Sequence, residues 1–127
     1  MTDKSILTKI LIVEDHPIVA FVTRNMISGL GYWTNVVVNG KEALTEFYNN
    51  YSLIFMDIDL PDMTGIEVAA EIRRREHNQK NIPIIAYTAY TDSNLKSSCL
   101  AVGIEEIINK PATPRKFQKT ILHYCSK

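Results

Sequence analysis

Ile10-Leu11-Ile12-Val13-Glu14-Asp15-His16-Pro17 is the stretch that decides the fold. Four apolar residues in a row, with no alternation, describe a strand buried on both faces, as in a parallel sheet. They run directly into two carboxylates. Pro17 then suits the first turn of a helix. Ile18, Val22, Met26 and Leu30 follow at helical spacing and predict one buried stripe. Gly31 predicts a left-handed stop.

The same unit recurs outward from this stretch, five times in all. Thr34 to Val38 reads as the second strand, with Val36-Val37-Val38 as its β-branched centre. Asn39-Gly40 is a turn whose asparagine suits a helix cap, and Ala43, Leu44, Phe47 and Tyr48 form the next stripe. Leu53-Ile54-Phe55-Met56 is the third strand and ends at Asp57. Ile58-Asp59-Leu60-Pro61-Asp62-Met63-Thr64-Gly65 is a loop rich in breakers, with Asp62 read as a turn residue. A helix with Ile66, Ala69, Ala70 and Ile72 closes on Arg73-Arg74-Arg75, read as a solvated end that suits the helix dipole. Ile82 to Tyr87 is the fourth strand and ends at Thr88. A helix over about 92–102 carries a weak stripe, Leu95, Cys99 and Val102, before Gly103. Glu106 to Asn109 is the short fifth strand, leading to Lys110-Pro111. Thr113-Pro114 starts a helix with Phe117, Ile121 and Cys125 inward.

This alternation predicts an α/β three-layer sandwich around a parallel sheet. With 127 residues, 46% of them hydrophobic, the chain is sized for a single domain, 1–127, with a core of its own. Fourteen basic residues balance fourteen acidic ones. An electrostatic nucleic-acid binder would carry a basic excess, so no direct nucleic-acid binding is expected. No apolar run approaches the ~18 residues that span a bilayer, and no secretory signal is visible, so a cytoplasmic location without membrane contact is expected. Cys99 and Cys125 do not make a disulfide framework and are read as packed thiols. Trp33 is read as packing, and His77 and His123 as surface.

In a fold of this kind ligands sit outside the carboxyl ends of the strands. Four of the five ends are polar: Glu14 and Asp15, then Asp57, Thr88 and Lys110. Three carboxylates in one place need a counter-charge. A hard divalent cation such as Mg²⁺ supplies it and leaves positions for a phosphoryl group. Lys110 offers a fixed charge and Thr88 a hydroxyl for phosphoryl oxygens. A carboxylate in that company suits a phosphoryl-transfer nucleophile. Taken singly, each residue also has an ordinary structural reading as a cap, a turn residue or a solvated charge. His16, at the helix start, is read as an exposed rim residue.

These residues, in this order, resemble the receiver domain of two-component response regulators over nearly the whole chain. The matching pieces are Ile12-Val13-Glu14-Asp15-His16-Pro17, Met56-Asp57-Ile58-Asp59-Leu60-Pro61-Asp62-Met63-Thr64-Gly65, Ile84-Ile85-Ala86-Tyr87-Thr88-Ala89 and Asn109-Lys110-Pro111. The resemblance implies a flavodoxin-like sheet in the order 2-1-3-4-5 with five helices. It implies that Asp57 accepts a phosphoryl group from a histidine on a sensor kinase or a histidine phosphotransfer protein. Glu14, Asp15, Asp57 and the backbone carbonyl of Asp59 would hold Mg²⁺. Thr88 and Lys110 would bind the phosphoryl group and act as the switch. The face made by the fourth helix, fifth strand and fifth helix would change to signal to a downstream protein, and the Lys110–Pro111 peptide would be cis. Such a domain is a regulatory phosphoacceptor rather than an enzyme, and no output domain is expected after it.

Two features depart from the family pattern. An aromatic switch residue is common three positions before the lysine, and Ile107 stands there instead. The positions that tune phosphoryl lifetime hold Asp59 and Tyr90, for which a modestly long-lived phosphoryl state is expected. The run Ala86-Tyr87-Thr88-Ala89 and the aliphatic residue at 107 resemble the receiver modules of hybrid sensor kinases. Two rivals stand beside this reading. Asp57-Ile58-Asp59 resembles the Asp-x-Asp of haloacid-dehalogenase-type aspartyl phosphatases. A degenerate receiver that binds a partner without phosphate is the other.

Overall fold

The computed structural model describes residues 8–76, 81–89 and 92–125. Five strands, β1 (Lys9–Val13), β2 (Trp33–Val37), β3 (Leu53–Met56), β4 (Ile84–Thr88) and β5 (Glu106–Asn109), alternate with five helices. These are α1 (Pro17–Gly29), α2 (Gly40–Glu46), α3 (Gly65–Glu76), α4 (Leu95–Ala101) and α5 (Pro114–Cys125). All strand pairings are parallel and the spatial order is β2-β1-β3-β4-β5. The fold is thus the three-layer, five-stranded sandwich expected.

Burial explains the strand sequences. The inner strands β1, β3 and β4 are buried almost throughout, which is why they read as unbroken apolar runs. The outermost strand β2 exposes alternate residues, and Trp33 at its start is 64% exposed rather than packed. On one face Ala43, Val68, Ala69, Ile72, Leu95 and Cys99 bring α2, α3 and α4 onto Leu11, Val13, Ile54, Met56 and Ala86. On the other face Ile27, Phe117 and Ile121 bring α1 and α5 onto Ile10, Ile12, Phe55 and Ile85. Both cysteines are free thiols, Cys99 buried and Cys125 half-buried.

Local chemistry sets the element ends. The Asn39 side chain accepts the Glu42 amide at 2.8 Å, and Thr113 accepts that of Lys116 at 3.1 Å. Thr64 and Glu67 cap α3 reciprocally, each side chain taking the other's amide. Gly31 and Gly103 both take positive φ, as stops should. Helix α4 starts at Leu95, later than expected, because Asp92 folds its own turn by accepting the Asn94 amide on its side chain and the Leu95 amide on its carbonyl.

Two further expectations are corrected. Only the second half of the expected stripe on α1 holds: Met26 and Leu30 pack half-buried against the core beside the buried Ala20, Thr23 and Ile27, while Ile18 and Val22, with Phe21, face outward. The triple-arginine end of α3 is not uniformly solvated. Arg73 pairs with buried Glu76 at 2.9 Å and donates to the Gly103 carbonyl at 2.7 Å.

Candidate functional site

Strand order reverses between β1 and β3, because β1 has β2 on one side and β3 on the other. That switch point opens a crevice at the carboxyl ends of the strands. A shallow groove of about 350 Å³ lies there, lined by Glu14, Asp15, His16, Asp57, Asp59, Thr88 and Ala89. Backbone ladders fix its floor. Glu14 N–H donates to Val37 O at 2.9 Å, Asp57 N–H to Val13 O at 3.0 Å, and Lys110 N–H to Thr88 O at 2.9 Å. The three strand-end segments therefore cannot slide relative to one another without breaking sheet hydrogen bonds.

Ligand oxygens of Glu14, Asp15 and Asp57 lie within 4.8 Å of one another. Glu14 and Asp57 are buried and Asp15 is exposed, so the cluster has a closed floor and one open side. The Lys110 ammonium sits 2.5 Å from Glu14 Oε1 and 3.2 Å from Asp57 Oδ2. Burial raises the Glu14 carboxyl above its ordinary pKa and the negative charge of Asp57 adds to this, while the hydrogen bond from Lys110 opposes it. Burial alone would lower the Lys110 ammonium. The hydrogen bond to Glu14 and the nearby carboxylate charges outweigh it, and its pKa is raised. The Asp59 amide reaches Asp57 Oδ1 at 3.4 Å, and Asp59 itself is exposed on the rim. Thr88 is buried in the wall. His16 is an exposed rim residue whose amide donates to Glu14 Oε2 at 3.2 Å. The Lys110–Pro111 peptide is cis.

Tyr90 and His77 fall outside the described residues. Ile107 stands apart from the groove, half-buried against the core on the α4 side. His123 is exposed, with its ring edge-on to Tyr124.

Three contributions were not read from the sequence. Gly65 is required because a Cβ there would stand 2.2 Å from the Asp57 carbonyl oxygen, so α3 begins hard against the backbone of that aspartate. Asp62 is more than a turn residue. Its carboxylate accepts the amides of Gly40 and Lys41 at 2.8 and 2.9 Å and ties the loop after β3 to the start of α2. Tyr87 accepts the buried amide of Ala112 on its hydroxyl at 3.1 Å. The breaker-rich loop pointed to the first two; nothing in the pattern pointed to the third.

Buried carboxylates at a switch point, faced by one lysine and open on one side, make an acidic cleft suited to a divalent cation and an anionic group together. The fold and this cleft define a doubly wound α/β domain with its site at the strand ends. The chain belongs to the response regulator receiver domain family, whose model matches residues 10–122.

Relatives agree. The chain is 34% identical over 103 residues to the aerobic respiration control sensor protein ArcB of Escherichia coli (strain K12), covering 80% of this chain and 13% of that protein. It is 34% identical over 119 residues to hybrid signal transduction histidine kinase G of Dictyostelium discoideum, covering 91% of this chain and 4% of that one. It thus spans a small part of these longer proteins. Among solved structures, the receiver domain of sensor histidine kinase PA1611 from Pseudomonas aeruginosa PAO1, with a magnesium ion coordinated in its active-site cleft, is similar at a TM-score of 0.83. The identity is 31%, with 94% of this chain and 98% of that chain covered. A chain of the co-crystal of the Saccharomyces cerevisiae phosphotransfer protein Ypd1 with the receiver domain of Ssk1 is similar at a TM-score of 0.85 and 28% identity, covering 94% and 89%. The chain is therefore a receiver domain of the phosphorelay type. The Asp57-Ile58-Asp59 likeness to aspartyl phosphatases is confined to that tripeptide, which follows β3 of a receiver fold. Among the described residues no helix is long and apolar enough to cross a membrane.

Proposed function

We propose that Asp57 accepts a phosphoryl group from a phosphohistidine on a sensor kinase or phosphotransfer protein, and that the domain is a switch read by a further protein. The observation that carries this is the convergence of Glu14, Asp15 and Asp57 within 4.8 Å, with the Lys110 ammonium against two of them. Mg²⁺ fits the donor set, which is all hard oxygen, acidic and partly open. Its holders would be Glu14, Asp15, Asp57 and the Asp59 carbonyl, and when bound it supplies positive charge against phosphoryl oxygens. In the transfer, an Asp57 oxygen forms a bond to phosphorus while the histidine N–P bond breaks, and the imidazole keeps the electron pair and takes a proton. Lys110 then turns from carboxylate to phosphoryl oxygen, and the Thr88 hydroxyl donates to another.

The donor would dock on α1. Ile18 and Phe21 are 74% and 65% exposed on its first turns, directly after groove residues Asp15 and His16. Apolar side chains so placed, beside a polar site, suit a protein partner. The added charge would draw Thr88 and the following loop inward and repack α4, β5 and α5.

Intact mass after incubation with Mg²⁺ and phosphoramidate tests this, with Asp57→Asn alongside. One phosphoryl group on the parent and none on the variant is the expected result. No adduct on a folded parent would leave a phosphate-independent binding module. Rapid donor consumption without adduct would indicate a phosphatase.

A further inference from the structure

Resting on the phosphoryl-acceptor reading, we propose that Tyr87 is a positioning residue for Lys110, pinning through its hydroxyl the turn that carries the lysine. Tyr87 immediately precedes Thr88 on β4. Side chains alternate along a strand, so the two project to opposite faces of the sheet. Tyr87 enters the layer beneath α1 and α5, where it is 5% exposed. A buried phenol needs a polar partner. Here the hydroxyl meets the Ala112 amide at 3.1 Å, also buried. Lys110 lies two residues before Ala112, and its own amide donates to the Thr88 carbonyl at 2.9 Å. Two neighbouring β4 residues thus hold both ends of the Lys110–Ala112 turn, Thr88 by its backbone and Tyr87 by its side chain.

The ring adds two contacts. The Lys110 ammonium stands 5.6 Å from its centroid, within cation–π reach. Its edge meets Phe117 of α5 with centroids 5.1 Å apart, and Phe117 meets Phe55, two residues before Asp57, at 5.2 Å. Tyr87 therefore joins the lysine turn to α5 on the face of the sheet opposite Ile107, which packs on the α4 side.

Tyr87→Phe keeps the ring and removes only the pin. The Ala112 amide then loses its partner, and its hydrogen exchange should speed up roughly tenfold. At saturating phosphoramidate the phosphorylation rate constant should fall about five- to tenfold, because the lysine is displaced from the transferring group. Mg²⁺ affinity should not fall, since Glu14, Asp15 and Asp57 keep their places and Lys110, loosened from two of them, competes less with the ion. Tyr87→Leu should additionally shift the Lys110 ammonium resonance through loss of the ring. An unchanged Ala112 exchange rate and rate constant in Tyr87→Phe would overturn the proposal. So would a rate loss matched by an equal loss of Mg²⁺ affinity, which is general loosening. If the parent accepts no phosphoryl group, the functional reading fails by itself. The Ala112 exchange and the ammonium resonance of Lys110 then decide the positioning claim alone, and no change in both overturns it.

Discussion

Helices α1 and α3 have 13 and 12 residues, and each lays one side on the sheet, yet their outer sides are opposites. The outer side of α1 carries Ile18, Phe21 and Val22 in solvent. That of α3 is charged: Glu71 takes Arg74 and Arg75, whereas the pair at its end joins Arg73 to buried Glu76. A helix needs only one apolar stripe to fold against a sheet. Apolar residues left over beside an acidic cleft fit the docking role proposed for α1, whereas the paired charges of Glu71, Arg74 and Arg75 suit a side that faces solvent.

The largest expected effect separates the two sides of α1. Ile27 is fully buried, so Ile27→Ala should cost about 2–5 kcal/mol by denaturant unfolding. Phe21→Ala should stay within about 0.5 kcal/mol. With a phosphohistidine protein as donor, Phe21→Asp should slow transfer by roughly tenfold or more, while uptake from phosphoramidate stays unchanged. Equal losses with both donors would remove the docking role of α1.

Next in size is the buried end of α3. Glu76 accepts the Ile82 amide at 2.8 Å as well as pairing with Arg73, and it is 7% exposed. Glu76→Ala leaves that amide unpaired and frees Arg73, at a cost of about 2 kcal/mol in urea unfolding. A loss below measurement would mean that this end of α3 is as solvated as its middle.

The same contrast explains what could be read from the sequence. Central strands are dry on both faces, so β1, β3 and β4 stood out as apolar runs, and the groove residues followed because strand ends have fixed places in such a fold. Glu14, Asp15, Asp57, Thr88 and Lys110 all lie at or beside that cleft. The buried side of α1 was misread because its surplus of apolar residues supports more than one helical stripe. Ile18, Val22, Met26 and Leu30 are evenly spaced, but only Met26 and Leu30 of them pack against the core, and the buried positions are Ala20, Thr23 and Ile27. Periodicity fixes a face only where the opposite face is polar. The reach of Arg73 to Gly103, the grip of Asp62 on α2 and the bond of Tyr87 to Ala112 join residues 30, 22 and 25 positions apart, which no local pattern encodes.

The smallest effect belongs to the outer charges of α3. Glu71 accepts from Arg74 Nε at 3.0 Å and from Arg75 Nε at 2.7 Å, and these hydrogen bonds hold its carboxyl down at about 2, from an ordinary 4.5. A carboxyl whose folded pKa is depressed adds stability above its unfolded value and loses it as pH falls, here between about 4.5 and about 2. Arg74 is exposed and Arg75 half-buried, however, so solvent reaches both pairs and salt screens them. NMR titration of the Glu71 side chain should therefore give a midpoint near 2 at low salt that moves upward at high salt. Arg74→Ala should raise the midpoint only partway, because Arg75 remains, and should leave the thermal midpoint at neutral pH within the scatter of repeat melts. A drop in melting temperature as large as that of Glu76→Ala would mean that the outer charges of α3 help hold the fold. The difference between its solvated middle and its buried end, and with it the contrast with α1, would then fail.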